Sequence, residues 1–205
     1  MKRRTFKRCI AVIVSAQMLF SGMWSTAFAL DSGDRFEKDG ITYTVLTEAS
    51  NGVAGTVQVG NGYSSMNISK STVEIPETVT DTDGSSYTVV SIGARAFDNS
   101  MYECSVRNIT IPATVTSIGK GAFSDLSSLS SVTFAEGSGL LSIGDNAFDS
   151  TSISSIELPD TVTTIGESAF TKCRYLSSID LPEALTSLGD SAFSGDSYLS
   201  QINIG

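Results

Sequence analysis

The second half of the chain repeats a short alternation of apolar and polar residues. In LSSIDLP (176–182), Ile179 and Leu181 alternate with Ser178 and Asp180, which is the period of a β-strand with one buried face. Pro182 follows, and because proline cannot donate to a strand ladder it ends the strand. Equivalent strands are predicted at ITIP (109–112), VTFA (132–135), IELP (156–159) and INIG (202–205).

A second phrase alternates with these strands. It begins with a β-prone run such as TVTTI (161–165) and continues with glycine, two variable residues, alanine and phenylalanine. We expect the glycine to form a corner, which requires either a positive φ or a close approach of two backbones. An acid follows the glycine in three copies and favours the start of a one-turn helix. The phenylalanine is predicted to fill the core in all five copies, at Phe97, Phe123, Phe148, Phe170 and Phe193.

The spacing of these phenylalanines predicts the architecture. They are 26, 25, 22 and 23 residues apart, and a period in the twenties is typical of a solenoid. One unit cannot bury its own apolar face, whereas stacked units share a continuous core. The sequence predicts a β-rich α/β solenoid at 88–205, with about five units of 22–26 residues, short parallel strands and one-turn helices. The last unit is expected to be truncated and uncapped, which favours end-to-end self-association at that edge.

These phrases resemble the BspA-like (TpLRR-type) leucine-rich repeats of bacterial surface proteins. AFTKCRYL (169–176) has the whole A-F-x-x-C-x-x-L motif of that family, and the other copies have another residue in place of Cys173. The resemblance covers about 88–205. It implies a leucine-rich repeat fold behind a β-rich N-terminal cap, and a role in attachment to host proteins and other cells.

Residues 30–87 have a different pattern, with signals for short hairpins. Asp39-Gly40 precedes an alternating apolar run that begins at Ile41, which is typical of a tight β-hairpin. DTDGSSYTVV (81–90) predicts another hairpin. Its DTDG start is similar to a calcium loop but lacks a glutamate at the twelfth position, so we interpret it as a turn. We interpret 30–87 as a β-rich cap on the first edge of the array.

The first 29 residues have the three parts of a secretory signal peptide. Five basic residues precede the apolar run CIAVIVSAQMLF (9–20), and Ala27-Phe28-Ala29 is an A-x-A cleavage site. We predict cleavage between Ala29 and Leu30, no membrane insertion after it, and an extracellular protein, secreted or at the cell surface, of bacterial origin. The alternative is an uncleaved membrane anchor, which polar residues within the stretch disfavour.

The net charge of the chain limits the classes of molecule that it is expected to bind. The net charge of the chain is −9, and loss of the five basic residues with the signal leaves 8 basic against 22 acidic residues, or −14. A nucleic acid is therefore not expected as a partner, since phosphate binding needs a basic face. Anionic membrane surfaces are disfavoured for the same reason.

The residue types also argue against an enzyme. The sequence has no histidine, which excludes Ser-His-Asp and Cys-His nucleophiles and histidine zinc sites. Cys104 and Cys173 would lie three units apart, too far for a disulfide, and are interpreted as small buried apolar residues. Glu157 and Asp180 share an outward position in adjacent units, where a solvated pair is favoured over cation binding or catalysis. We expect no catalytic residues, no metal site and no cofactor.

Three tyrosines are the candidate ligand contacts. Tyr102, Tyr175 and Tyr198 each lie five residues after a repeat phenylalanine, and exposed aromatic residues with a polar tip are enriched at binding hot spots. The alternative is that they shield the leucines beside them. We predict a surface protein that recognises a protein or surface glycan in adhesion. The other hypothesis is a fragment or targeting arm of a larger surface protein whose activity lies elsewhere.

Overall fold

The computed structural model describes residues 29–60, 70–98 and 105–204. Residues 1–28 of the predicted signal peptide, Tyr102 and Cys104 lie outside these ranges. Within them the chain forms β-strands and turns but no helix. The strands are β1 (Arg35–Lys38), β2 (Ile41–Thr47), β3 (Gly55–Val59), β4 (Thr72–Glu74), β5 (Thr78–Thr80), β6 (Ser86–Ile92), β7 (Asn108–Ile111), β8 (Ser117–Ile118), β9 (Ser131–Phe134), β10 (Ser142–Ile143), β11 (Thr164–Ile165), β12 (Ser178–Leu181), β13 (Ser187–Leu188) and β14 (Gln201–Ile204).

The first three strands lie at the N-terminal edge of the repeats. β1 and β2 form an antiparallel hairpin in which Lys38 pairs with Ile41. Asp39 and Gly40 between them both have positive φ, which is the backbone that a two-residue Asp-Gly turn requires. β3 pairs antiparallel with β2 and parallel with β6. The segment therefore joins the array through backbone hydrogen bonds, and its role as a cap stays a prediction.

One parallel ladder runs through the whole array. β6, β8, β10, β11 and β13 are adjacent in that order, and each pairs in register with the next. The second residue of each two-residue strand points inward. It is buried at Ile118, Ile143 and Ile165 but exposed at Leu188, the last of the ladder. Successive coils therefore stack in one register, as the predicted solenoid requires.

The second row of strands is interrupted. β4, β7 and β9 form one parallel sheet, and β12 pairs with β14 in another. Residues 152–158 lie between them and form no strand, so the strand predicted at IELP is not formed. Two backbone hydrogen bonds join this segment to its neighbours, from Ser152 N–H to the Leu129 carbonyl and from Ser177 N–H to the Ser154 carbonyl. Ile156 is nevertheless buried, so this apolar residue of the predicted alternation still points into the core.

The phenylalanine rings form a continuous stack along the core. Ring centroids of successive coils are 5.1–5.6 Å apart and their planes differ by 12–21°. The first four rings are fully buried, whereas Phe193 is partly buried because no described coil covers it. Offset stacking at this separation is favourable beyond the area that the rings bury.

The segment after each corner glycine forms hydrogen-bonded turns in place of the predicted one-turn helix. Two residues in each of the last four coils, and one described residue in the coil of Phe97, have left-handed backbone, which no α-helix can include. The first lies two residues after the glycine, with φ of 53–60°, at Arg95, Gly121, Asn146, Ser168 and Ser191. The second lies two residues after the phenylalanine, at Asp125, Ser150, Lys172 and Gly195.

Hydrogen bonds between the turns of neighbouring coils form a ladder. In every bond of this ladder the donor lies in one coil and the acceptor lies in the following coil. In the coil of Phe148, the N–H groups of Asn146, Phe148 and Ser150 donate to carbonyls of the next coil at 2.8–2.9 Å. The coils of Phe123 and Phe170 repeat all three bonds, and the coil of Phe97 shows two of them. In the last coil the corresponding N–H groups, of Ser191, Phe193 and Gly195, have no partner within the described residues. The C-terminal side of this ladder therefore presents hydrogen-bond donors alone.

The corner glycines are required by close approach and not by their own φ. A Cβ added at Gly144 would lie 2.8 Å from the Lys120 nitrogen, and one at Gly166 would lie 2.5 Å from the Asp145 nitrogen. A side chain at either position would push neighbouring coils apart. Of the two reasons for glycine that the sequence allowed, close approach is therefore the one that applies here.

We expect Phe170→Ala to destabilise the array by about 3–5 kcal/mol, because the cavity opens between two stacked rings in a filled core. Phe193→Ala is the matched control, since its ring is partly exposed and stacks on one side only. Urea unfolding of both variants measures the difference. If the two variants lost the same free energy of unfolding, the conclusion that the buried ring stack is the main interaction stabilising the coils would be contradicted.

Candidate ligand-contact surface at the tyrosine pair

Tyr175 and Tyr198 form an exposed aromatic pair near the C-terminal end of the described array. Their ring centroids are 6.5 Å apart and the ring planes differ by 7°. The side chains are 60% and 68% exposed. β12 and β14 determine this geometry, because Ser178 pairs with Gln201 and each tyrosine lies three residues before its strand. The structure thus brings together two of the three predicted contact residues, and Tyr102 lies outside the described residues.

A tight turn holds each tyrosine in place. The Leu176 N–H donates to the Cys173 carbonyl at 3.0 Å, and the Leu199 N–H donates to the Asp196 carbonyl at 3.1 Å. Each tyrosine lies inside its turn, directly before a leucine that packs in or against the core. The backbone under the rings is therefore fixed, while more than half of each side chain is open to solvent.

The equivalent positions of the two preceding coils, those of Phe123 and Phe148, have serine. Ser128 and Ser152 each precede an inward apolar residue, as the tyrosines do, and the Ser152 hydroxyl donates to the Ser127 carbonyl at 2.7 Å. The position therefore accepts a small polar residue without loss of the coil. Among the described residues, tyrosine occupies this position in two adjacent coils, and there it forms a local aromatic surface.

A row of polar side chains lies under this edge in three coils, three residues after Phe148, Phe170 and Phe193. Thr151 and Cys173 are both buried, and the Thr151 oxygen lies 3.2 Å from the Cys173 sulfur. The thiol also donates to the Phe148 carbonyl at 3.1 Å. Burial raises the pKa of Cys173 to about 12, so the thiol stays protonated and is not a nucleophile at neutral pH.

Asp196 occupies the same row in the last described coil. Both of its carboxylate oxygens are enclosed and make no hydrogen bond within the described residues. Burial raises the pKa of Asp196 to about 7, although the nearby backbone N–H of Cys173 acts to lower it. The carboxyl group was not found by sequence reasoning, because only stacking of the coils places it over Cys173.

The other acidic groups that the sequence singled out do not form a ligand site here. Asp180 accepts a hydrogen bond from the Asn203 amide, while Glu157 lies in the segment that forms no strand, so the shared ladder position expected for the two is not formed. Asp81 accepts backbone hydrogen bonds from Asp83 and Ser85, which is the geometry of a turn. Within the described ranges no three His, Cys, Asp or Glu side chains are grouped so as to hold a metal ion.

Comparison with known proteins identifies the repeats. The model of a family described as BspA type leucine-rich repeat region matches residues 90–205 in six copies, where the sequence pattern predicted about five units. The pneumococcal vaccine antigen PcpA has a similar structure, with 27% identity and a TM-score of 0.68 over 85% of this chain and 50% of its own. No curated protein matches the sequence at a significant level.

Two further solved structures are similar. A leucine-rich repeat protein from Bacteroides ovatus is 33% identical, with a TM-score of 0.67 over 82% of this chain and 40% of its own. A leucine-rich cell surface protein from Faecalibacterium prausnitzii is 30% identical, with a TM-score of 0.69 over 85% of this chain and 44% of its own. The chain thus spans half or less of the length of these proteins.

The enclosed carboxyl group of Asp196 predicts a specific pH dependence. Its pKa is higher in the folded chain than in the unfolded chain, so the folded state binds the proton more tightly and gains stability as the pH falls. We expect Asp196→Asn to raise the melting temperature at pH 8, and the gain over the original protein to shrink between pH 8 and pH 5. Asp190→Asn, which removes an exposed charge from the same coil, is the control. A gain from Asp196→Asn that is independent of pH would contradict this assignment.

Proposed function

Because the chain belongs to the BspA-type leucine-rich repeat family, we propose that it is a secreted or cell-surface binding protein that recognises surface proteins of a host or of other bacteria. The observation that carries this proposal is the exposed tyrosine pair on fixed turns of a repeat scaffold. Large aromatic side chains that are held in place lose little conformational entropy when they bind, and tyrosine is enriched at binding hot spots.

The location outside the cell is supported by the signal-like N-terminus and by the named neighbours. One neighbour is described as a cell surface protein and another as a vaccine antigen. In the part of the chain that the structure describes, no helix has the length and apolar character to cross a membrane. The strongly acidic composition favours a protein partner over nucleic acid.

Binding, and not catalysis, is what the described side chains support. The one described cysteine is buried with its proton retained, and the sequence has no histidine to activate a hydroxyl group. The tyrosines lie on an open surface beside serine side chains and not in a closed cleft. An exposed aromatic pair on fixed turns suits contact with another macromolecule better than chemistry on a small substrate.

We expect the double variant Tyr175→Ser, Tyr198→Ser to bind its partner at least about tenfold more weakly, which is the loss typical of a hot-spot pair. Serine is chosen because earlier coils have it at the same position. The measurement is binding of residues 30–205 to immobilised host matrix proteins and to intact bacterial cells. Leu141→Ser removes an exposed apolar residue directly before β10, which belongs to the other row of strands, and is the matched control.

Unchanged binding by the double variant would place the contact surface elsewhere. If the original protein binds none of these surfaces, recognition of surface proteins is itself contradicted.

A second candidate function is that of a targeting arm in a larger surface protein. Two observations favour it: the similar proteins are about twice as long, and the donor row at Ser191, Phe193 and Gly195 matches the carbonyls of one more coil. If two copies of the chain associated through their C-terminal edges, the N–H groups of this row would face each other and could not pair. Hydrogen bonds between the two copies would then have to come from β13 and β14 alone. The gene sequence beyond Gly205 distinguishes the candidates, because further repeats or a catalytic domain there would support the arm.

A further inference from the structure

A hydrogen-bonded chain links the first residue after the predicted cleavage site to a buried carboxylate. The Leu30 backbone N–H donates to the Tyr87 hydroxyl at 3.1 Å, and that hydroxyl donates to Asp81 Oδ2 at 3.3 Å. Tyr87 and Asp81 are both buried. Leu30 is 57 residues from Tyr87 in sequence, so the fold itself brings it to the pair that Tyr87 forms with Asp81.

The carboxylate at the end of this chain is held rigidly. The other oxygen of Asp81, Oδ1, accepts from the N–H groups of Asp83 and Ser85, both at 2.9 Å. Oδ2 is therefore left to polarise the Tyr87 hydroxyl, which in turn becomes a better acceptor for the Leu30 nitrogen. A buried carboxylate is most stable when a positive charge lies near it.

The segment that carries Leu30 is also held against the fold. Gly33 N–H donates to the Val45 carbonyl and Val45 N–H donates to the Asp34 carbonyl, which tie the segment to β2. The Leu30 side chain packs against the core. Asp34 accepts from the Asp31 N–H, which adds a further acidic group beside the start of the segment. The surroundings of the Leu30 nitrogen are therefore acidic.

We propose that the Tyr87–Asp81 pair is a docking site for the α-amino group that appears when the signal peptide is removed at the Ala29–Leu30 bond. In the unprocessed chain, the Leu30 nitrogen is a neutral peptide amide. Hydrolysis of that bond consumes one water, leaves a carboxylate on Ala29 and frees the Leu30 amine, which takes a proton to become an ammonium. The donor to Tyr87 then carries a positive charge.

This change strengthens the contact where it already exists. A charge-assisted hydrogen bond is about twice as strong as a neutral one, and the ammonium gains attraction to the carboxylate beyond the tyrosine. Removal of the signal peptide would thus stabilise the folded N-terminal edge of the array, and would do so only after export. The inference rests on the export included in the proposed function, but it does not depend on the tyrosine pair or on any ligand.

The test compares two forms of the full mature chain, one that begins at Leu30 and one that keeps Phe28-Ala29 in front of it. The extended form retains the Leu30 N–H but moves the ammonium away. At pH 6 we expect the form that begins at Leu30 to melt about 2–4 °C higher, the shift that a charge-assisted hydrogen bond gives in a chain of this size. Equal melting temperatures would overturn the proposal.

Variants of the acidic turn show whether Asp81 is the cause. Asp81→Asn keeps the Oδ1 acceptor of the turn but removes the charge, so it should abolish the difference between the two forms. Asp83→Asn removes an exposed charge from the same turn and should leave the difference intact. A difference that persists in Asp81→Asn overturns the assignment, and if that variant does not fold, the comparison of the two original forms still decides.

The processing step has its own readout. The 205-residue chain exported by a bacterial host should have Leu30 as its first residue by N-terminal sequencing. Another first residue would overturn the docking proposal. Loss of surface binding with Leu30 intact would instead count against the proposed function alone.

Discussion

The structure depends on one constraint, which is that each coil must lie on the previous one in a single register. The Ala-Phe pair of every coil stacks on the same pair of the coil before it, and the backbone on both sides of the pair donates to the next coil. Left-handed residues lie on both sides of the pair, and their N–H groups are among those that donate to the next coil. Residues such as Arg95 and Lys172 adopt this conformation at a cost of about 1–2 kcal/mol each, which the stack and the ladder must offset.

The shared register also determines which polar and aromatic side chains of adjacent coils become neighbours. Because strands and turns repeat at a constant spacing, a residue type that occurs in two adjacent coils becomes a pair of neighbouring side chains. Tyr175 and Tyr198 are stacked for this reason, and so are Thr151, Cys173 and Asp196 in the row under them. A repeat scaffold therefore builds a contact surface by substitution at a fixed position, without a change in its backbone. The direction of the ladder makes the two ends of the array chemically different.

Features that follow from short-range patterns could be predicted from the sequence, whereas those that depend on contacts between coils or between distant segments could not. Burial of the phenylalanines and the Asp39-Gly40 turn follow from short-range patterns, and the structure contains both. The left-handed positions could be predicted only in part, because glycine, asparagine and aspartate favour that backbone, whereas arginine, lysine and serine at the equivalent positions of other coils do not. The gap at 152–158 and the contact from Leu30 to Tyr87 depend on how distant segments meet, which local periodicity does not encode. Of the candidate site, the pairing of Tyr175 with Tyr198 was predictable, whereas the enclosed Asp196 was not.

The central claim is that backbone hydrogen bonds between coils hold the turn segments, in addition to the turn bonds within each coil. Amide hydrogen exchange of the mature protein tests it directly, since protection reports the stability of each bond. The N–H groups of Ser168, Phe170 and Lys172 should be protected, whereas those of Ser191, Phe193 and Gly195, which have a similar local sequence but no described coil after them, should exchange far faster. Equal protection of the two rows in a monodisperse monomer would contradict the account.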